Sequence, residues 1–198
     1  KNLQVIGLDE LISGNKENLK EAIGNKNFHL VIESSGNLDV GLERLDYIFI
    51  TSDDEVSLKN VLELFKKFKC RLLFLSSIEL YDIEKITSNL RWVKDAESEI
   101  AKCAKEYNLN ARVLRLGYVF GPRMNFKNVD PTGRLIYQSL TENLQKEISL
   151  DFSSRALYVE DACELAIRCI FAGATAQKIF DGVSPTPIKV SEIKQVLL

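Results

Sequence analysis

The sequence predicts an α/β protein built on a doubly wound parallel sheet. Five short apolar runs carry this prediction, and polar loops and helix-length segments separate them. The runs lie at residues 3–8, 28–33, 47–50, 72–75 and 113–116. Continuous apolar runs of this length are typical of strands that are buried on both faces of a sheet. Strands that alternate with helices form a parallel sheet that helices cover on both sides.

The helix predictions come from apolar residues that recur at helical spacing. Residues 17–23, 57–69 and 95–107 fit this pattern, while residues 78–90 are predicted to be irregular. The pattern changes after Met124, where short elements follow one another. In that part the sequence predicts helices over residues 133–143 and 159–171 and from Ser191 onwards, and strands over residues 148–151 and 178–181.

Composition and charge argue against several classes of protein. The chain has 198 residues, a hydrophobic fraction of 45%, a charged fraction of 27% and a net charge of −2, as in an ordinary globular protein. It carries no basic block for nucleic acid and no apolar run near the roughly 18 residues of a membrane span. The 4 cysteines lack metal-ligand spacing, and the single histidine, His29, excludes a multi-histidine metal site. We expect reduced thiols, no bound metal and a cytoplasmic location.

Residues 118–124 are the first place to look for a functional site. Residues 111–117 form a predicted buried strand, and the loop after it is marked by Gly121 and Pro122. Ligands of open α/β sheets bind beyond the carboxyl ends of the strands, so residues 118–124 are expected near a ligand. A purely structural turn would give the same pattern.

Four blocks of the chain resemble the extended short-chain dehydrogenase/reductase family, the NAD-dependent epimerases, dehydratases and decarboxylases of nucleotide sugars. They are V-I-G-L-D-E-L with the polar loop after it (residues 5–19), L-F-L-S-S-I-E-L-Y (73–81), L-R-L-G-Y-V-F-G-P-R-M (114–124) and S-R-A-L-Y-V-E-D-A (154–162). The third block is the most specific and is similar to the R-x-x-N-V-Y-G-P-R of the family. The resemblance implies a Rossmann-like NAD(P)-binding domain over residues 1–122, which lacks the first βα unit. It also implies a small α+β subdomain for the nucleotide sugar over residues 123–198.

The resemblance implies NAD as the cofactor and assigns residues to it. Asp9 stands where the family carries an acidic residue that accepts both ribose hydroxyls of the adenosine, which favours NAD over NADP. A solvated loop carboxylate would look the same in the sequence. The other implied cofactor-binding residues are Thr51, Leu116, Val119 and Arg134.

The resemblance also implies a nucleotide sugar as the substrate. Arg155 matches an arginine that pairs with the diphosphate, since a guanidinium forms parallel hydrogen bonds to phosphate oxygens. Tyr118 and Arg123 complete the implied substrate-binding set, and Tyr118 replaces an asparagine that contacts substrate in the family. An arginine that only forms a surface salt bridge would give the same pattern as Arg155.

The catalytic candidates are Ser77, Tyr81 and Lys85. Ser77 matches a hydroxyl that hydrogen-bonds the reacting part of the substrate, and a serine that caps the end of a strand is the alternative interpretation. Tyr81 and Lys85 match the Tyr-x-x-x-Lys pair of the family, in which the tyrosine is the general acid/base and the lysine activates it. They occupy, however, the place of an earlier tyrosine of the family. An alignment without gaps puts Asn89 and Val93 at the place of the catalytic pair, and a shift of one residue puts Leu90 and Lys94 there. Neither register supplies a tyrosine.

Besides the displaced catalytic pair, the sequence departs from the family pattern at the phosphate-binding turn. The Gly-x-x-Gly-x-x-Gly turn of the family and the strand before it are absent from the sequence, so the sheet lacks its central strand. The chain opens at Lys1 directly in a predicted strand. We therefore expect that a preceding segment or another element fills the gap, because an unpaired central edge is unfavourable.

Two functions remain open after these departures. The first is an NAD-dependent protein that modifies a nucleotide sugar by hydride transfer at a sugar carbon. The alternative is a catalytically silent relative that acts as a binding, regulatory or scaffold subunit. The resemblance also implies a homodimer, or pairing with a complete homologue, through the helices near Val61 and Glu97.

Overall fold

Strands and helices alternate along most of the chain. The computed structural model describes residues 3–11, 15–32, 41–51, 55–82, 87–124, 153–173 and 178–189. Its strands are β1 (Val5–Leu8), β2 (Phe28–Val31), β3 (Tyr47–Ile50), β4 (Arg71–Ser77), β5 (Asn110–Leu116), β6 (Val119–Phe120), β7 (Ser153–Ser154), β8 (Leu157–Tyr158), β9 (Ile179–Gly182) and β10 (Ile188–Lys189). Its helices are α1 (Lys20–Ile23), α2 (Glu55–Phe68), α3 (Ser88–Glu106) and α4 (Val159–Phe171), and 3-10 turns lie at Lys16–Leu19 and Ile78–Tyr81. None of these helices is long and apolar enough to cross a membrane.

The central sheet has 4 parallel strands in the order β3-β4-β5-β9. Successive side chains of each strand alternate between its two faces. On one face, Leu72 and Phe74 of β4 pack in a buried cluster with α2 and α3. On the other face, Leu73 of β4 packs with Ala166 and Ile170 of α4. Helices thus cover both faces of a parallel sheet, which confirms the predicted doubly wound α/β class.

The first two strands form a sheet of their own. β1 and β2 are parallel and pair in register from Val5 and Phe28 onwards. Within the described ranges they are not hydrogen-bonded to the central sheet, as expected where one strand is missing between β1 and β3. Apolar strand residues of an α/β sheet are normally buried. In β1, however, Val5 is 50% and Ile6 is 43% exposed, and Phe49 of β3 is 44% exposed.

Helix α3 begins earlier than the sequence pattern suggested. Residues 78–90 were predicted to be irregular, but they hold the 3-10 turn Ile78–Tyr81 and the first turn of α3. Thr87 caps this helix, because its side-chain oxygen accepts a hydrogen bond from the backbone N–H of Leu90 at 3.3 Å. Leu90 is buried and anchors the first turn in the core.

Part of the chain after residue 122 belongs to the central sheet. β9 pairs with β5, and α4 packs against β4 and β5. Two further pairs join the same region: β10 is antiparallel to β7, and β8 is parallel to β6. The division into domains at residue 122 stays a prediction. The elements predicted at residues 133–143, at residues 148–151 and from Ser191 lie outside the described residues.

Candidate functional site

Several predicted site residues gather at the carboxyl edge of the central sheet. Thr51 follows β3 and is exposed, Ser77 ends β4, and Leu116 ends β5. Ser77 and Leu116 are register partners on neighbouring strands. Asp9 holds the equivalent place after β1. Because the parallel strands of the central sheet end at the same edge, Thr51, Ser77 and Leu116 lie where ligands of open α/β sheets bind.

The Asp9 side chain is partly used by its own loop. Its Oδ1 accepts a hydrogen bond at 2.7 Å from the backbone N–H of Leu11, whose φ is 55°. The backbone N–H of Asp9 donates to the carbonyl oxygen of Val31 in β2 at 3.2 Å. The side chain is exposed, and a carboxylate accepts hydrogen bonds on both oxygens. Asp9 is therefore fixed at the end of β1 and can still accept a hydrogen bond from a ribose hydroxyl.

Ser77 and Tyr81 lie at the two ends of one 3-10 turn. The Ser77 hydroxyl accepts a hydrogen bond from the backbone N–H of Glu79 at 3.2 Å, as a cap does, and keeps its own proton to donate. The Tyr81 hydroxyl donates to the carboxylate of Asp181 in β9, at 3.2 Å from Oδ1. Lys85 lies outside the described residues, so its pairing with Tyr81 stays a prediction.

A buried ion pair next to this turn was not predicted from the sequence. Arg115 of β5 donates from Nε and Nη2 to the carboxylate oxygens of Glu97 in α3, at 3.0 and 2.7 Å. Ser76 of β4 donates its hydroxyl to the same carboxylate at 2.5 Å. The hydrogen bonds to Glu97 raise the pKa of Arg115 above its usual range, against the opposing effect of burial. The available signal was the alternation of β5, which places Arg115 on the same face as the buried Val113.

The segment around Arg155 meets the end of the sheet at Gly117. The carbonyl oxygen of Tyr118 accepts a hydrogen bond from the N–H of Leu157 at 2.7 Å. Val119 is the register partner of Leu157 in the β6–β8 pair. The Arg155 side chain is exposed, while its carbonyl oxygen lies beside Gly117. The structure therefore brings the half-buried Tyr118 and Val119 together with the backbone that carries Arg155.

Arg123 connects the loop after β6 to the first helical segment. It donates from Nη1 to the carbonyl oxygen of Asn18 at 2.9 Å and pairs from Nη2 with Glu21 Oε1 at 3.1 Å. The two side chains of this ion pair are 50% and 84% exposed. Exposed pairs contribute little stability, so a phosphate can compete for the guanidinium. Arg134, the predicted arginine of the cofactor set, lies outside the described residues.

Comparison with known proteins gives matches among solved structures. No family model and no curated protein matches the sequence. A dTDP-glucose 4,6-dehydratase from Bacillus anthracis in complex with NAD matches 98% of this chain and 71% of its own, with a TM-score of 0.82 and 18% identity. A UDP-glucose 4-epimerase from Thermotoga maritima with UDP-glucose covers 98% and 73%, with a TM-score of 0.81 and 18% identity. A UDP-N-acetylglucosamine 4-epimerase from Methanobrevibacter ruminantium in complex with UDP-N-acetylmuramic acid covers 99% and 81%, with a TM-score of 0.80 and 16% identity.

The chain therefore has the Rossmann-like fold that these nucleotide-sugar epimerases and dehydratases share. At the level of the fold, this confirms the resemblance to the extended short-chain dehydrogenases/reductases. Identities of 16% to 18% establish the architecture alone. The roles of individual residues therefore depend on the site geometry described above.

Proposed function

We propose that this protein binds a nucleotide sugar at the carboxyl edge of its central sheet and modifies it, with NAD, by hydride transfer at a sugar carbon. One observation carries the proposal: the chain superposes over 98% of its length, with a TM-score of 0.82, on a dehydratase crystallised with NAD. A UDP-glucose 4-epimerase crystallised with its sugar nucleotide matches with a TM-score of 0.81. The candidate residues lie at the edge where ligands of such sheets bind.

The proposed cofactor is NAD, which when bound accepts the hydride from the sugar. The chain fits the adenosine end of this dinucleotide, because Asp9 is fixed at the end of β1 and can accept from a ribose hydroxyl. We assign Thr51, Leu116 and Val119 to the same ligand, since they lie at or just beyond the ends of β3 and β5. The sequence holds no glycine-rich turn for the pyrophosphate, so the fit of this chain is limited to the ribose end.

The proposed substrate site begins at Arg155. Its exposed guanidinium would pair with the diphosphate, for which the planar fork of arginine is well suited. Tyr118 lies between β5 and β6, where its carbonyl oxygen accepts from the N–H of Leu157, and would contact the sugar. Arg123 would exchange its exposed partner Glu21 for a phosphate oxygen. Arg134 remains a predicted contact of the dinucleotide.

Proton transfer in the proposed reaction falls to Ser77 and Tyr81. The Ser77 hydroxyl can donate to a sugar oxygen while it accepts from the backbone of Glu79. Tyr81 is the described tyrosine nearest to Ser77 along the chain and shares its turn. Lys85 would act on Tyr81 as the lysine of the Tyr-x-x-x-Lys pair.

A catalytically silent relative is the second candidate function, and Val93 is the observation that favours it. Val93 packs against the buried cluster that joins the central sheet to α2 and α3. In the alignment without gaps, an apolar side chain with this role stands at the place of the catalytic lysine, and it can neither hold a ribose nor activate a tyrosine. The protein would then bind a nucleotide sugar without turning it over.

The predicted homodimer, or pairing with a complete homologue, stays a prediction. Glu97, near which that contact was placed, is buried and paired with Arg115 inside the chain.

Calorimetric titration of the purified protein tests the proposed function. NAD, UDP, UDP-glucose and UDP-glucuronate are titrated separately, and the absorbance of NADH is then followed after both ligands are mixed with the protein. Binding of NAD and of a sugar nucleotide, followed by NADH formation, is the expected result. Binding of the UDP compounds without NADH would favour the silent relative. A protein that binds none of the four ligands would overturn both candidates.

A further inference from the structure

Polar side chains form a row across three strands of the central sheet. Ser76 of β4 is the register partner of Arg115 of β5, and Arg115 is the register partner of Asp181 of β9. Register partners of a parallel sheet project from the same face. Glu97 of α3 accepts hydrogen bonds from Ser76 and Arg115. The row therefore lies on the face that α3 covers, near the carboxyl edge.

Tyr81 connects the last two members of this row. Its ring centre lies 4.6 Å from the guanidinium carbon of Arg115. Its hydroxyl lies 3.2 and 3.4 Å from the two carboxylate oxygens of Asp181. A guanidinium at this distance from an aromatic face is an attractive cation–π contact. Tyr81 is 58% exposed and is nevertheless held by contacts to two strands.

The support under Tyr81 is itself rigid. Arg115 and Glu97 are joined by two hydrogen bonds, and their side chains are only 15% and 10% exposed. A bidentate pair of this kind fixes the plane of the guanidinium. The aromatic ring that faces this guanidinium loses little further freedom when a ligand binds, which favours affinity.

The polar atoms that remain available here are mostly acceptors. The Tyr81 oxygen donates its proton to Asp181 and keeps lone pairs, and the exposed Asp181 carboxylate has further acceptor sites. A sugar ring supplies hydroxyl donors, whereas a phosphate supplies acceptors and negative charge. The chemistry of the pair therefore fits a sugar and disfavours a phosphate.

We propose that Tyr81 and Asp181 bind hydroxyl groups of the sugar moiety, and that Arg115 is a positioning residue that holds the Tyr81 ring in place for this contact. The proposal rests on the proposed function, because it assigns the sugar end of the same nucleotide sugar. It differs from a role for Tyr81 as the general base, since it requires only hydrogen bonds.

Calorimetric titration with UDP-glucose and with UDP separates the sugar contact from the nucleotide contact. Tyr81→Phe keeps the ring and removes the hydroxyl, so we expect about fivefold weaker binding of UDP-glucose and unchanged binding of UDP, the effect of one hydrogen bond. Tyr107→Phe is the matched control, because Tyr107 is also half-exposed and contacts a cation, Lys66, but precedes β5 at the opposite edge. This control should bind both ligands as the wild type does.

Two further variants test the positioning. Arg115→Lys keeps the charge but loses the planar fork, so it should weaken UDP-glucose and leave UDP unchanged. Asp181→Ala should weaken UDP-glucose in the same way, with partial recovery in Asp181→Asn, which keeps an acceptor. Combined with Tyr81→Phe, Asp181→Ala should cost less than the product of the two separate effects, because the hydroxyl and carboxylate act together.

The outcomes separate this inference from the proposed function. Wild-type protein that binds UDP-glucose while Tyr81→Phe binds it equally well would overturn the sugar contact and leave the proposed function standing. Equal weakening of UDP and UDP-glucose in the variants would overturn it as well, since the residues would then support the whole site. The inference is also overturned if the wild-type protein binds UDP-glucose no better than UDP, or binds neither. The proposed function is overturned as well only if the protein binds none of the four titrated ligands.

Discussion

Gly117 lies so close to Arg155 that the backbone leaves no room for a side chain. A Cβ atom at residue 117 would lie 2.2 Å from the carbonyl oxygen of Arg155. On its other side, the backbone N–H of Gly117 donates to the carbonyl oxygen of Gly182 at 2.9 Å. The end of β5 is thus held between β9 and the segment that carries the proposed diphosphate-binding arginine.

Gly117→Ala should destabilise the protein and weaken nucleotide binding. The atom in the way belongs to a backbone carbonyl and cannot rotate aside as a flexible side chain would, so we expect a loss of about 1–3 kcal/mol in the free energy of unfolding. Urea denaturation measures this loss. Gly173→Ala is the matched control, because no atom of the described residues lies within 4 Å of the added methyl group, and its effect should stay below about 0.5 kcal/mol. Equal stability of the two variants would contradict the proposed crowding at residue 117.

The C-terminal end of α4 is held by a buried arginine. Arg112 of β5, which is 2% exposed, donates to the carbonyl oxygens of Cys169, Ala172 and Gly173, the last two at 2.9 and 2.6 Å. Carbonyl groups at the end of a helix lack partners within the helix, and a cation there is favourable. Arg112 thus satisfies the helix end, and the carbonyls in turn stabilise its buried charge.

Arg112→Met should lower the free energy of unfolding by about 3 kcal/mol, because it removes the donor to the buried carbonyl of Cys169 and to the part-buried carbonyls of Ala172 and Gly173. Arg71→Met provides the comparison at the same helix end. Arg71 is half-buried and lies 3.3 Å from the carbonyl oxygen of Ile170, so its loss should cost less than about 1 kcal/mol. Thermal unfolding of both variants measures the difference. A larger effect for Arg71→Met would show that the helix end depends on the outer arginine.

The sequence predicted most of the central sheet because its strands are short apolar runs between clear breakers. β3 and α4 have the predicted bounds, Tyr47–Ile50 and Val159–Phe171. The start of α3 was wrong, because the polar residues around Ser88 hide the capping signal of Thr87. Elements such as β3 and α4 are recognised from the periodicity of a single segment, so a strong local pattern is enough to predict them.

The contacts around the candidate site could not be predicted in the same way. Tyr81 and Asp181 are 100 residues apart in sequence, and Arg115 and Glu97 are 18 apart. Their meeting depends on strand order and register, which a single sequence does not give. A charged residue on the inner face of a strand does signal a buried partner, so Arg115 itself was detectable. Its partner Glu97 could not be identified from the sequence.

Removing one member of the Arg115–Glu97 pair should strongly lower the free energy of unfolding. The side chains are 15% and 10% exposed, and breaking a buried pair leaves an uncompensated charge worth about 3–5 kcal/mol. Arg115→Met and Glu97→Met should each destabilise by about that amount. The double variant should lose clearly less than the sum of the two, as a double-mutant cycle of denaturation curves measures. Additive losses would mean that the two side chains stabilise the fold independently.

The control cycle combines Glu164→Met with Arg168→Met. That pair is exposed, so its coupling should stay below about 0.5 kcal/mol.

The cysteines should make stability decrease as the pH rises into the alkaline range. Burial raises the pKa of the Cys70 thiol to about 11, above the value of about 8.5 for an unfolded thiol. Between these values the unfolded state loses the proton and the folded state keeps it. The unfolded state then binds fewer protons, so the free energy of unfolding falls with rising pH across this window. Burial also raises the pKa of Cys103 and Cys169, which adds to the same slope.

Urea denaturation at a series of pH values, for wild type and for Cys70→Ala, isolates the contribution of this thiol. The wild type should lose stability more steeply than the variant between about pH 8.5 and about pH 11. Thiol labelling gives an independent check near neutral pH: Cys163 is exposed and should react at once, whereas the three buried thiols should react only as the protein unfolds. Cys163→Ser removes the fast phase and leaves the slow one. Equal slopes for wild type and Cys70→Ala, together with prompt labelling of Cys70, would mean that this thiol is open to water in the folded protein.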